Sequence, residues 1–385
     1  MKRIYLDHAA TTQPAPEVIA AVRKAMESEW GNASSAHSPG QAAKRMVEEA
    51  RTSVAALIGA KPGEIHFTSG ATESNNQVIR GSVEALRGKG DRLVISAVEH
   101  PCVEESAKRV EKHGWKVERA GVDGTGVLDM AAFGKALGER TALVSVMLAN
   151  NETGSIQPVA EAAKAAKAAG ALVHTDATQA AGRIRVSVDE LGVDYLSLSA
   201  HKFYGPKGAG ALYVRRGAPL APFLLGGSQE RGKRGGTLNV PGIAGMGAAA
   251  GMAARDLEGR AARAREARDA LERGMFSRIT GCALNGHPGK RLPSHLNVSF
   301  SGVDGEALLM ALDVAGVAAS TGSACASGTA EPSRVLTAMG LPRERVLSAI
   351  RFTTGEANLA GDAAAALEII VAAVERLRRS SPRAR

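Results

Sequence analysis

Short runs of aliphatic and β-branched residues recur between alanine-rich helical stretches over the first two-thirds of the chain. This alternation limits the possible folds more than any other feature. The runs are "EIHFTS" (64–69), "RLVISA" (92–97), "ALVSVML" (142–148), "ALVHTD" (171–176), "YLSLSA" (195–200) and "GALYVRR" (210–216). Between them, "QAAKRMVEEARTSVAALIG" carries apolar residues at three- and four-residue spacing and stops at Gly59. "PVAEAAKAAKAAG" opens with Pro158 in its first turn and stops at Gly170. Such alternation predicts an α/β domain with a mainly parallel sheet flanked by helices. After about residue 255 the texture changes to a long Arg/Glu/Ala helix (roughly 256–275), a strand "HLNVSFS", a helix near "GEALLMAL" and a final helix from about 361 to 378. The expected division is a large domain over 14–255 and a smaller α+β domain formed by 1–13 and 256–385.

Composition narrows the function classes. There are 48 basic and 39 acidic residues, a net charge of +9, but five arginines lie in the last ten residues, "RLRRSSPRAR". Without them the excess is +4 with no evident stripe, and aromatics are only 3%. Direct nucleic-acid binding is therefore not expected. No apolar run is long enough to cross a bilayer, and "MKRIYLDHAATTQP" has no apolar signal core, so the expected location is cytoplasmic. Cys102, Cys282 and Cys325 are far apart and lack CxxC spacing, which argues against a disulfide framework or a zinc site.

In open α/β sheets ligands bind beyond the carboxyl ends of the strands, and polar residues fall there repeatedly. Ser69-Gly70-Ala71-Thr72 turns from a strand into a helix, a possible anion site. His100, Asn151, Asp176 with Gln179, and Ser199 with His201 and Lys202 follow four other strands. Each alone reads as a turn former or cap; five strand ends carrying them together do not. The set fits pyridoxal 5'-phosphate, which needs a lysine for a Schiff base and a carboxylate for its pyridine nitrogen. It also needs hydroxyls and amides for its phosphate, and a ring such as that of His100 to stack on it.

The fragments "YLDHAATT", "FTSGATESNN", "NNETGSIQP", "HTDATQ", "SAHKFYGPKGAGALYVRR", "GGSQERGKRGGTLN", "LNVSF" and "STGSACASGTAEPS" together resemble the cysteine desulfurases. These are class V, fold-type I pyridoxal-phosphate transferases, and the match runs in order from residue 5 to about 355. The resemblance implies Lys202 as the Schiff-base lysine and proton carrier, Asp176 at the pyridinium nitrogen, and Gln179 and Asn151 at the ring oxygen or the substrate. Ala71, Thr72, Ser199 and His201 would hold the phosphate, His100 would stack and act as acid or base, and Arg351 would bind the substrate carboxylate. Thr237 would reach the phosphate of a neighbouring subunit, which implies a homodimer with shared sites.

Cys325 lies among small residues with few apolar anchors, so its segment is expected to be mobile. The resemblance makes Cys325 the thiolate that takes sulfur from L-cysteine, leaving alanine and a persulfide for an acceptor such as an iron–sulfur scaffold or a tRNA-thiolation carrier. His100 would take the thiol proton. Cys102 and Cys282 read as structural or incidental. The long segment between "SAC" and "EPS" is similar to that of the group serving iron–sulfur cluster assembly. Alternatives are a selenocysteine lyase or another class V enzyme such as an aminotransferase. A basic adaptor without turnover draws support from the charge alone.

Overall fold

The computed structural model describes residues 3–86, 88–321, 332–356, 358 and 360–380. Its strands are β1 (Ile4–Tyr5), β2 (Ile65–Thr68), β3 (Arg92–Ser96), β4 (Lys116–Ala120), β5 (Thr141–Ser145), β6 (Leu172–Asp176), β7 (Tyr195–Ser199), β8 (Gly210–Val214), β9 (Cys282–Asn285), β10 (His295–Phe300), β11 (Val317–Ala318) and β12 (Ala349–Thr353). Seven form one sheet in the order β2-β8-β7-β6-β5-β3-β4. β8 runs antiparallel to both neighbours and every other adjacent pair is parallel. The central strands β5 and β7 are buried along their whole length, as expected for strands covered by helices on both faces. Of this sheet's strands, β4, "KVERA", is the one absent from the expectations above, as are β1, β9, β11 and β12 outside it. β4 is an edge strand whose Lys116 and Arg119 are exposed, and charge on an edge discourages further pairing while masking the β pattern.

Helices cover both faces. On one side Ser38–Leu57 and Val240–Arg255 contribute Val47, Val54, Ile243 and Met246 to a core with Phe67, Val144 and Leu196. On the other, Ala71–Ala85 and Pro101–Glu111 bring Val78, Ile79 and Val103 against Leu93 and Ile95. A separate core lies on the antiparallel sheet β12-β10-β9, where Val298, Phe300, Ile350 and Phe352 meet Leu271, Met275, Ile370 and Val374. Ile4 and Leu6 join this second core, and β1 pairs with β11. The next residues, Asp7–Thr12, therefore leave the second core and run across the carboxyl edge of the large sheet, where Thr12 meets the carbonyl of His201.

Candidate active site

Because β2, β3, β5, β6 and β7 share one direction, their carboxyl ends open onto one edge, and a cavity of about 960 Å³ lies there. Its lining includes Ala71, Thr72, His100, Asn151, Asp176, Gln179, Ser199, His201, Lys202 and Arg351. Ten of the residues singled out in the sequence thus meet in one space. Thr237 is exposed and does not line the cavity of its own chain. Cys325 lies outside the described residues.

Lys202 follows β7 in a short helical turn, Ala200–Lys202. Its Nζ donates to the carbonyls of Ala9 (2.6 Å) and Ala10 (2.7 Å) on the N-terminal segment. Burial, and then the positive charges of Arg183 and Arg351, lower its pKa to about 7. An amine held this way is substantially unprotonated near neutral pH and can act as a nucleophile.

Asp176 ends β6 and is 5% exposed. Its Oδ1 accepts from the amide of Thr178 (2.9 Å) and its Oδ2 from Asn75 Nδ2 (2.7 Å). The same Asn75 amide reaches Cys102 Sγ at 3.1 Å. His100 caps the helix Pro101–Glu111 through its ring: Nδ1 accepts from the Cys102 amide (3.2 Å) and lies 3.0 Å from Cys102 Sγ. An Nδ1 that caps a helix must be unprotonated, so Nε2 carries the ring proton. Burial pushes the imidazole pKa down as well. In this arrangement His100 turns an Nε2–H donor away from the cap.

The turn after β2 leads into the helix Ala71–Ala85, whose start at Gly70 has no side-chain cap. Gly210 allows this: a Cβ there would lie 2.4 Å from Gly70 Cα. Ser199 faces the same turn, its hydroxyl 3.6 Å from where a Cβ of Gly70 would stand. Amides at an uncapped helix start beside a hydroxyl form a cradle for an anion such as phosphate. His201 pairs with Thr11 Oγ1 through Nδ1 at 3.1 Å, and burial, then the Lys202 charge, lower it to about 4. Amine, carboxylate, imidazole and anion cradle around one cavity fit the donor set that pyridoxal phosphate requires.

Arg351, in β12, is 4% exposed. It donates to Asp7 Oδ1 (2.7 Å) and to the Asn151 carbonyl (2.9 Å), and its Nε has no partner among the described residues. Gln179 lines the cavity with its amide engaged by the Ala9 carbonyl and by Arg183. Cys102, expected to be structural or incidental, stands in the cavity wall beside His100. Burial and the nearby Asp176 charge push its thiol up to about 12, so it stays protonated and unreactive. Cys282 lies on β9, half-buried and away from the cavity. Among the described residues no cluster could hold a metal ion. Asp7, Asn75, Glu99 and Arg183 went unremarked in the sequence, and a helix-period glance at "ATESNN" would have put Asn75 one turn after Thr72 on the cavity side.

The sequence profile of the family described as Aminotransferase class-V matches residues 4–362. The protein named Cysteine desulfurase IscS from Dictyoglomus turgidum is 47% identical over 383 residues, covering 99% of this chain and 97% of that one. A cysteine desulfurase from Sinorhizobium fredii is 45% identical over 384 residues, with 99% of each chain covered. A solved structure named NifS-like protein superposes with a TM-score of 0.92 at 36% identity, covering 97% of this chain and 100% of that one.

Proposed function

Since this chain belongs to the class-V aminotransferase family and, within it, to the cysteine desulfurases, we propose that it turns L-cysteine into L-alanine with pyridoxal 5'-phosphate as cofactor. The sulfur leaves as a persulfide on Cys325 for an acceptor protein, in iron–sulfur cluster assembly. The carbon–sulfur bond of the substrate breaks, a sulfur–sulfur bond to Cys325 forms, and the two thiol hydrogens end on alanine and the persulfide. The observation that supports this reading best is the convergence on one cavity of the Lys202 amine, the Asp176 carboxylate and the uncapped helix start at Ala71.

Bound there, pyridoxal phosphate supplies an electron sink conjugated to the substrate's α-carbon. Asp176, held by Asn75 and the Thr178 amide, keeps the ring nitrogen charged. Ala71, Thr72, Ser199 and His201 take the phosphate, and Thr237 of a second copy completes it in a homodimer. Lys202 Nζ moves protons at the α- and β-carbons from its position beside the Ala9 and Ala10 carbonyls. Arg351, in the cavity wall, binds the substrate carboxylate, and Asn151 and Gln179 orient the ring. His100 stacks and donates through Nε2–H.

The reach of Cys325 fits this role. Ser320 and Pro332, on either side of its segment, both line the cavity. Cys325 is five residues beyond Ser320, a span of at most about 17 Å. The two separate cores support a division between a large domain (14–255) and a small one (1–13 and 256–385) that carries Cys325. Among the described residues no helix is long and apolar enough to cross a membrane, and we place the enzyme in the cytoplasm.

The test is to give the purified enzyme L-cysteine without added reductant and count alanine against subunits. About one alanine per subunit, lost in Cys325→Ala, supports a persulfide that waits on Cys325. Alanine formed at the same level in Cys325→Ala would refute the assignment of the acceptor thiol.

A further inference from the structure

Arg183 follows β6 by seven residues and is 9% exposed. Among the described residues its guanidinium meets carbonyl oxygens and no carboxylate. It donates to the carbonyls of His8 (2.6 Å), Lys202 (3.2 Å) and Gln179 (3.3 Å), and to Gln179 Oε1. A buried cation without an ion-pair partner is expensive to keep, so its surroundings indicate what it does. Gly182 brings it there: the backbone turns with φ +73°, and a Cβ would lie 2.6 Å from the Phe203 Cβ next to Lys202. No residue with a side chain allows so close an approach.

The contacts of Arg183 form one network around the Lys202 amine. Three consecutive carbonyls of the N-terminal segment are gripped in turn: His8 by Arg183, Ala9 by Gln179 and Lys202, Ala10 by Lys202. Arg183 also holds the Gln179 side chain and the Lys202 backbone. It thus fixes both the acceptors that Nζ faces and the element from which Nζ projects.

We propose that Arg183 is a positioning residue for Lys202: it clamps the carbonyls that Nζ faces and, as a buried cation with no carboxylate partner among the described residues, offsets their preference for the ammonium, so that the amine stays available in its neutral, nucleophilic form. This rests on the reading of Lys202 as the cofactor-bearing lysine. Condensation of an amine with an aldehyde forms a carbon–nitrogen double bond and releases one water, and requires the unprotonated amine. A neighbouring cation is one of the established ways of obtaining it. The lowered pKa of Lys202 has Arg183 as its largest cause after burial, followed by Arg351. Asp176 and Asp7 act in the opposite direction. His100, His201 and His295 also face Lys202, and burial holds all three pKa values down, so they add little positive charge at neutral pH.

The experiment reads the Lys202 amine directly, in the cofactor-free full-length chain. Acetic anhydride is applied in a brief pulse over a range of pH, and acetylation of the Lys202 peptide is measured by mass spectrometry. This is independent of turnover, so a failed desulfurase assay and a failed Arg183 assignment are distinguishable. The wild type should show a Lys202 midpoint near neutral pH. Arg183→Gln should raise that midpoint by about one unit, roughly a fivefold loss of labelling rate at neutral pH. Arg183→Lys, which keeps the charge but not the fork, should keep the midpoint within about 0.3 unit. A folded Arg183→Gln chain with an unmoved midpoint would overturn the proposal. If that variant does not fold, the lysine variant decides: a midpoint displaced by a full unit despite the retained charge would overturn it too.

Discussion

Glu99 lies between β3 and His100, 3% exposed. Its Oε1 accepts from the Ser96 hydroxyl (2.6 Å) and the Met147 amide (2.7 Å), while Oε2 is buried with no partner among the described residues. Burial, reinforced by the charges of Asp176 and Glu104, pushes its carboxyl up from 4.5 to about 8. The folded chain therefore keeps Glu99 protonated at neutral pH, whereas the unfolded chain releases that proton above about 4.5. Stability from this group is fully present below 4.5 and falls as pH rises towards 8, at about 1.4 kcal/mol per pH unit. Glu99→Gln keeps the acceptor for Ser96 and Met147 and removes the titration. Its stability relative to wild type should rise by about 3 kcal/mol between pH 5 and pH 7.5. Urea unfolding of both proteins at the two pH values reads this as a growing separation of midpoints. A separation that does not change with pH, or that narrows, would show that Glu99 is ionised in the folded chain.

Three further changes test the cavity itself. Arg351→Lys replaces a planar fork by a point charge, and KM for L-cysteine should rise about tenfold to a hundredfold in an alanine-production assay; an unchanged KM would place the carboxylate elsewhere. Asn75→Ala removes the buried donor to Asp176 Oδ2, and dilution followed by absorbance should show the cofactor held about tenfold to a hundredfold more weakly. Gly210→Ala would drive its Cβ into Gly70, so the phosphate turn should open and cofactor retention fall by at least tenfold with little loss of helix by circular dichroism.

How much of this was legible beforehand follows from what each feature depends on. Asp176, Lys202 and His100 could be found because strand direction alone delivers their residues to one edge, and strand direction follows from the strand–helix alternation. The partners of those residues could not. The carbonyls of Ala9 and Ala10 reach Lys202 from a segment 192 and 193 positions away, and no local pattern encodes such an approach. Arg183 reads in sequence as a solvated charge in "AAGRIRV", yet Gly182 folds it inward. Nothing local in the sequence separates a structural from an incidental Cys102; its place comes from facing Asn75 on the neighbouring helix. β4 was hidden by the charges that protect a sheet edge.

Everything proposed for this cavity depends on Lys202 as the lysine that carries the cofactor. The most direct measurement is reduction of the yellow holoenzyme with borohydride, followed by proteolysis and mass spectrometry. A pyridoxyl phosphate adduct is expected on the peptide containing Lys202, at about one per subunit, and none in Lys202→Ala. An adduct on Lys207 or any other lysine, or its persistence in Lys202→Ala, would contradict that assignment.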